Sequence, residues 1–127
     1  MTWTFVLPWA TPSLNAIKVM HWAKIKRLKA EWYELLLYKS IKIPRATAKR
    51  RITIVRFGAR ELDHDNFVGG CKEVLVDNLR ASGGSAKRQR KGVGLILDDD
   101  SSHVEINYFQ AKCPKEEQRT EITVEDL

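Results

Sequence analysis

Two clusters of carboxylates, Asp63-His64-Asp65-Asn66 and Asp98-Asp99-Asp100, stand about 35 residues apart in a chain that is otherwise largely basic. No other feature restricts the fold as much. Carboxylates repel one another, and a fold that gathers several into one place needs a cation to neutralise them. The length of 127 residues fits one domain with a modest core. The charge is divided. Residues 1–60 hold thirteen Lys/Arg against two Glu (+11), and residues 61–127 hold nine Lys/Arg against fourteen Asp/Glu (−5). Alone, that asymmetry means no more than two solvated faces. Joined to the carboxylate clusters, it suggests a polyanion partner held beside a cation site.

Between and around the clusters the apolar periodicity changes. Residues 2–7 alternate, with Trp3, Phe5 and Leu7 on one face, and predict a strand that Pro8 stops. A turn-rich stretch, Pro12-Ser13-Leu14-Asn15, follows. From Trp22 to Lys39 the apolar positions Trp22, Ile25, Leu28, Trp32, Leu35 and Leu36 step by three and four, the spacing of an amphipathic helix. Pro44 and a basic run lead into a strand at Ile52–Phe57 that ends at Gly58. Phe67, Cys71, Val74, Leu75, Asn78 and Leu79 predict a second helix. Its start is open: Asp65 near the N-terminus, or a start nearer Cys71 with Gly69-Gly70 in a close-approach turn. Residues 81–94 read as a Gly/Ser-rich basic loop, with strands after it at Leu95–Leu97, His103–Phe109 and Thr120–Val124. No repeat, linker or second domain is evident.

Several chemistries are excluded. Cys71 and Cys113 form no CxxC pair and no zinc spacing with His21, His64 or His103. His103-Val104-Glu105 matches half of a zinc deaminase site, but no thiolate pair follows it. The glycine-rich loop lacks GxxxxGK[ST]. The N-terminus reads as a strand, not a signal peptide, and the apolar runs are too short to span a membrane. The expected setting is therefore the cytoplasm, with reduced cysteines.

What remains is metal and phosphate chemistry. If Asp63 and Asp65 end an extended segment, residues two apart point to one side and share a hard cation. Asp98-Asp99-Asp100 leaves an apolar run, where a carboxylate is rigidly placed. Lys72 lies two helical turns after Asp65 on the same face, suited to holding an attacked phosphate. Asp77 either supports the site or pairs with Arg80. Lys87, Arg88, Arg90 and Lys91 are candidate DNA backbone contacts. Each motif alone has an ordinary surface reading, but together they point to a metal-dependent nuclease.

These residues, in this order, resemble the RusA family of Holliday-junction resolvases, which are common in phages and prophages. Pro12-Ser13-Leu14-Asn15 stands where the family has Pro-Ser-x-Asn, and Asp63-His64-Asp65-Asn66 where it has Asp-x-Asp-Asn. Gly69-Gly70-Cys71-Lys72 with Asp77, and Ile96-Leu97-Asp98-Asp99-Asp100-Ser101, match its later motifs. The resemblance runs from Phe5 to about Val124. It implies an α+β fold, a mixed β-sheet with packed helices in one domain over residues 1–127, and a homodimer. It also implies Mg²⁺-dependent (or Mn²⁺-dependent) cleavage of four-way DNA junctions with no organic cofactor. Metal ligands fall on Asp63, Asp65 and Asp100, with Asp99 as the alternative, and the catalytic lysine on Lys72. Asn15, Arg50 and Arg51 join the loop as candidate DNA contacts. A nuclease for other branched DNA and a non-cleaving DNA-binding module are the alternatives.

Overall fold

The computed structural model describes residues 1–83 and 90–127, and it is a two-layer α+β arrangement. Strands β1 (Thr2–Leu7), β2 (Arg50–Gly58), β5 (Val104–Lys112) and β6 (Arg119–Asp126) form one mixed sheet in the order β1-β6-β2-β5. β6 runs antiparallel to both neighbours, and β2 and β5 are parallel. Period-2 alternation puts Trp3, Phe5 and Leu7, Ile52 and Ile54, Ile122 and Val124 on the core side. Thr2, Thr4 and Val6 face the other way and are exposed.

The helices cover the core side. α1 (Leu14–Lys18) is a single short turn capped by Ser13, whose Oγ accepts the Ala16 N–H at 3.0 Å. The turn-rich reading of this stretch missed it. α2 has the predicted bounds, Trp22–Lys39, and buries Trp32 and Leu36. Trp22 departs from expectation: in the first turn of the helix, it is 71% exposed.

α3 (His64–Cys71), a π-helical segment (Lys72–Val76) and α4 (Asp77–Leu79) follow one another without a break and bury Phe67, Cys71, Val74, Leu75, Val76 and Leu79. α2 crosses the π-helical segment. Lys29 pairs with Glu73 at 2.9 Å, and the Asn78 amide donates to the Lys29 carbonyl at 3.1 Å.

Two expectations change here. The loop 81–94 contains a short ribbon, β3 (Ala81–Gly83) antiparallel to β4 (Arg90–Val93). The expected strand at Leu95–Leu97 reduces to one parallel bridge from Ile96 to Arg80, although Leu95 and Ile96 are fully buried.

Gly69 and Gly70 lie inside α3, not in a turn before it. They let α1 pack closely. A Cβ on Gly70 would collide with the Pro12 carbonyl oxygen. One on Gly69 would crowd the Leu14 side chain, its Cδ2 at 2.6 Å and its Cβ at 3.0 Å, with no backbone atom in the way. Asn66 completes the contact, its Oδ1 accepting the Asn15 N–H at 2.8 Å. Gly70→Ala should therefore destabilise, because overpacking costs about 1–3 kcal/mol and exceeds or cancels the ~1 kcal/mol that alanine gains over glycine in a helix. Gly69→Ala should cost less, since only the Leu14 side chain has to give. Equal denaturation midpoints for the two variants would show that backbone approach at Gly70 is not what requires glycine.

Candidate active site

The first acidic cluster opens α3. Asp63 is the N-cap, with extended backbone, and its carboxylate accepts the Asn66 N–H at 3.3 Å. Asp65 follows in the first turn, where the helix dipole favours a carboxylate. Both are exposed. The two-apart, same-side argument for Asp63 and Asp65 assumed extended backbone through Asp65; the helix begins at His64, so that argument does not hold. A cap signal, Asp63 three residues before Asn66, was present in the sequence.

Asp65, Val68 and Lys72 follow at i, i+3 and i+7, one face of the helix. Val68 and Lys72 line a cleft of about 280 Å³ whose other wall includes Asp99, Ser101 and Tyr108. The fold thus brings Lys72 from the helix and Asp99 from the second cluster to one cavity, with Asp65 one turn before Val68 on the same helix face.

Tyr108 was not foreseen. It enters the cleft from β5, its ring packed edge-on against Phe67 at 6.0 Å. Burial first, then the Cys71 thiol and the Asp99 carboxylate, push its phenol up to about 12, so it remains a hydrogen-bond donor at neutral pH. Its place on the core face of β5 was legible from period-2 alternation; its neighbour Asp99 was not.

The three aspartates of the second cluster have different partners. Arg80, 17% exposed, reaches Asp77, Asp98 at 3.6 Å and Asp99 at 3.5 Å. The Asp77–Arg80 pairing therefore forms, and one guanidinium serves three carboxylates. The Arg80 Nε is buried without a hydrogen-bond partner among the described residues. Asp100 turns away into a local turn. It accepts from the Ser102 N–H at 3.0 Å, the Ser102 hydroxyl and His103 Nδ1, the last at 2.8 Å. Asp99, not Asp100, lines the cleft with Lys72. Among the described residues no three His, Cys, Asp or Glu side chains converge into a metal cage.

Other expected contacts fall elsewhere. Arg50 is 4% exposed and does not offer its charge to DNA. It donates to Asp126 at 2.9 Å and to the Pro44 and Leu95 carbonyls at 2.8 and 3.1 Å, and it lies over the Trp3 ring. Arg51 is committed to Glu105 and to Glu125, the latter at 3.6 Å. Arg50, almost fully buried, is corrected as a DNA contact; Arg51, 37% exposed, is tied to the sheet by its glutamates. Asn15 is exposed beside Asn66 at the start of α3. Lys87 and Arg88, and the side chains of Arg90 and Lys91, lie outside the described residues.

The Asp100 turn has a pH signature. Hydrogen bonds from Ser102 and His103 hold its carboxyl down to about 2. A depressed carboxyl contributes stability that is present above its unfolded value near pH 4 and lost as pH falls toward 2. The loss of thermal midpoint caused by Asp100→Asn should therefore be full at pH 6 and shrink between pH 4 and 2. A difference unchanged at pH 2 would mean that the turn does not depend on the carboxylate charge. No family model matches the chain, and no curated protein matches it.

Proposed function

We propose that this chain is a RusA-like, Mg²⁺-dependent endodeoxyribonuclease that resolves four-way DNA junctions by paired phosphodiester hydrolysis, in the cytoplasm of a bacterial or phage-infected cell. The observation that carries the reading is the cleft joining Lys72 and Asp99, on the helix face that begins with Asp65. A mobile lysine ammonium beside placed carboxylates is the equipment for a phosphate in the presence of a divalent cation.

The donor set is carboxylate oxygen throughout, which suits a hard cation. Asp65 and Asp99, with Asp63 close in sequence, would hold it. Mg²⁺ keeps several waters and takes one or two carboxylates together with substrate phosphate, a demand that Asp65 and Asp99 would meet. When bound, the cation supplies Lewis acidity and eases deprotonation of the attacking water. The rest falls to the chain's own groups. Lys72, exposed at the start of the π-helical segment, donates to a non-bridging phosphate oxygen. Tyr108 and Ser101, both in the cleft wall, are neutral hydroxyl donors for the developing charge on the phosphate oxygens. The basic first half adds grip: Lys24, Lys26 and Arg27 are exposed on α2 beside Trp22. Cys71 and Cys113 are free, as suits a reducing compartment.

A labelled synthetic four-way junction, incubated with and without Mg²⁺, tests the function. Paired, Mg²⁺-dependent nicks support it. Equal cutting of flaps and forks would reassign it to branched DNA in general, and binding without cutting would make it a DNA-binding module. Asp65→Asn and Asp99→Asn should each abolish nicking while junction binding persists. Lys72→Ala should lower the single-turnover rate by roughly 10²-fold or more, the usual cost of one transition-state donor, with a much smaller loss in a gel-shift titration.

A homodimer belongs to the same proposal, because a junction with two-fold symmetry needs two matched cuts. Leu37, Tyr38 and Ile41 at the end of α2, and Val6 and Phe109 on the sheet, are exposed apolar surface available to a partner copy. Sedimentation velocity at micromolar protein should find the dimer mass. A monomer that still makes paired nicks would refute this part.

A further inference from the structure

The core side of β2 carries a second buried arginine, for which the nuclease reading has no use. Arg56 is 8% exposed. Its Nε donates to the Thr11 carbonyl at 2.8 Å and its Nη1 to the Arg60 carbonyl at 3.0 Å. Both acceptors are neutral. Arg50, on the same face of the strand, has the Asp126 carboxylate; Arg56 has no carboxylate partner among the described residues. The groups that act on its charge are the thiols of Cys71 and Cys113. Burial pushes the Cys71 thiol up to about 12, so it brings no negative charge near neutral pH. Desolvation pulls the Arg56 guanidinium below its ordinary value. A buried cation facing only carbonyls is expensive to keep. Gly58 helps to keep it, since a Cβ there would strike Arg56 Nη1.

Arg56 lines a cleft of about 430 Å³, separate from the one at Lys72 and Asp99. Arg60 and Lys115, both exposed, line it too, and among the described residues no acidic one does. Two neutral groups are set to donate. Ser13 Oγ already accepts the Ala16 N–H, which leaves its hydroxyl proton. Gln118 Oε1 already accepts the Ala59 N–H at 3.1 Å, which leaves its NH₂. Three cations and two donors around one open cavity match the oxygens of a tetrahedral dianion or a phosphodiester.

We propose that this cleft is a phosphate-binding site, with Arg56, Arg60 and Lys115 supplying charge and Ser13 and Gln118 supplying hydrogen bonds. Leu62 belongs to its wall and Asp63 is the next residue, so the site adjoins the first acidic pair. On the nuclease reading, on which this placement rests, the ligand is a backbone phosphodiester near the one cut. A free phosphate has the same chemistry and is the other source.

The test is calorimetric titration of the full chain with inorganic phosphate, against chloride at equal ionic strength. Arg60→Gln/Lys115→Gln alters two exposed side chains outside the core and should weaken phosphate binding at least about tenfold; Arg56→Lys, which keeps the charge but loses the fork, should weaken it as well. A short DNA duplex that displaces the phosphate assigns the site to backbone phosphodiester. Phosphate retained beside bound duplex assigns it to the free ion. No phosphate-specific heat with the parent chain, or equal affinity in the double variant, overturns the site. Mg²⁺-dependent junction nicking, measured on the same proteins, separates the two readings: nicking without phosphate binding removes only this site, and phosphate binding without nicking removes only the nuclease.

Discussion

The close approach of the Pro12–Asn15 segment to α3 is the constraint on which the candidate site depends. α3 carries Asp63 at its cap, Asp65 in its first turn and Lys72 at its end, so its orientation fixes all three. The β-sheet supports it from below through Phe67 and Cys71. From the side it is held by a backbone-to-backbone contact that Gly70 permits and by the Asn66 side chain bonded to the Asn15 N–H. Two motifs far apart in the chain, Pro-Ser-x-Asn and Asp-x-Asp-Asn-x-x-Gly-Gly, are thus two halves of one joint. The glycines cost helix propensity, and the approach they allow is what they return.

Charge is arranged around this joint in a consistent way. Arg80 gathers Asp77, Asp98 and Asp99 at the far end of the helix, which lets three carboxylates lie near one another. Asp100 is drawn off by Ser102 and His103. What the cleft retains is one carboxylate at Asp99, in a wall shared with Lys72 and with a phenol that stays protonated. Beyond Leu62, next to the first cluster, the balance is reversed, with Arg56, Arg60 and Lys115 around a cavity that no acidic residue lines among the described residues.

Much of the fold was legible because periodicity is a direct image of burial. Trp3, Phe5 and Leu7 placed β1, and the steps of three and four from Ile25 to Leu36 placed α2 with its ends. Periodicity failed where its reading is local and the cause is tertiary. Trp22 continues the apolar stripe but lies beyond the footprint of the core. Gly69-Gly70 left the start of the helix open, since only the distant Pro12 carbonyl explains glycine at position 70. The candidate site was legible as residue types: Lys72 lies on the face that two helical turns predict, and it shares a cleft with one of the three aspartates. Which aspartate was decided by the turn around Ser102 and His103 and by Arg80, contacts that spacing does not encode. The same limit hid Tyr108, and it made Arg50 and Arg51 look like free basic surface when Asp126, Glu105 and Glu125 already hold them.

The π-helical turn from Lys72 to Val76 has a consequence for how this helix tolerates change in length. A widened turn holds one residue more than an α-helical turn would, without displacing the segments on either side. Deleting a single residue there would let the chain close into a regular α-helix. The flanking segments would keep their places, with Asp77 and Arg80 still on the side of Asp98 and Asp99, whereas a deletion in the regular α-helix before it would rotate everything beyond by about 100°. The bulge thus takes up one residue between the helix start with Asp63 and Asp65 and the helix end with Arg80. Loss of one residue is therefore better absorbed within these five positions than in the regular turns on either side.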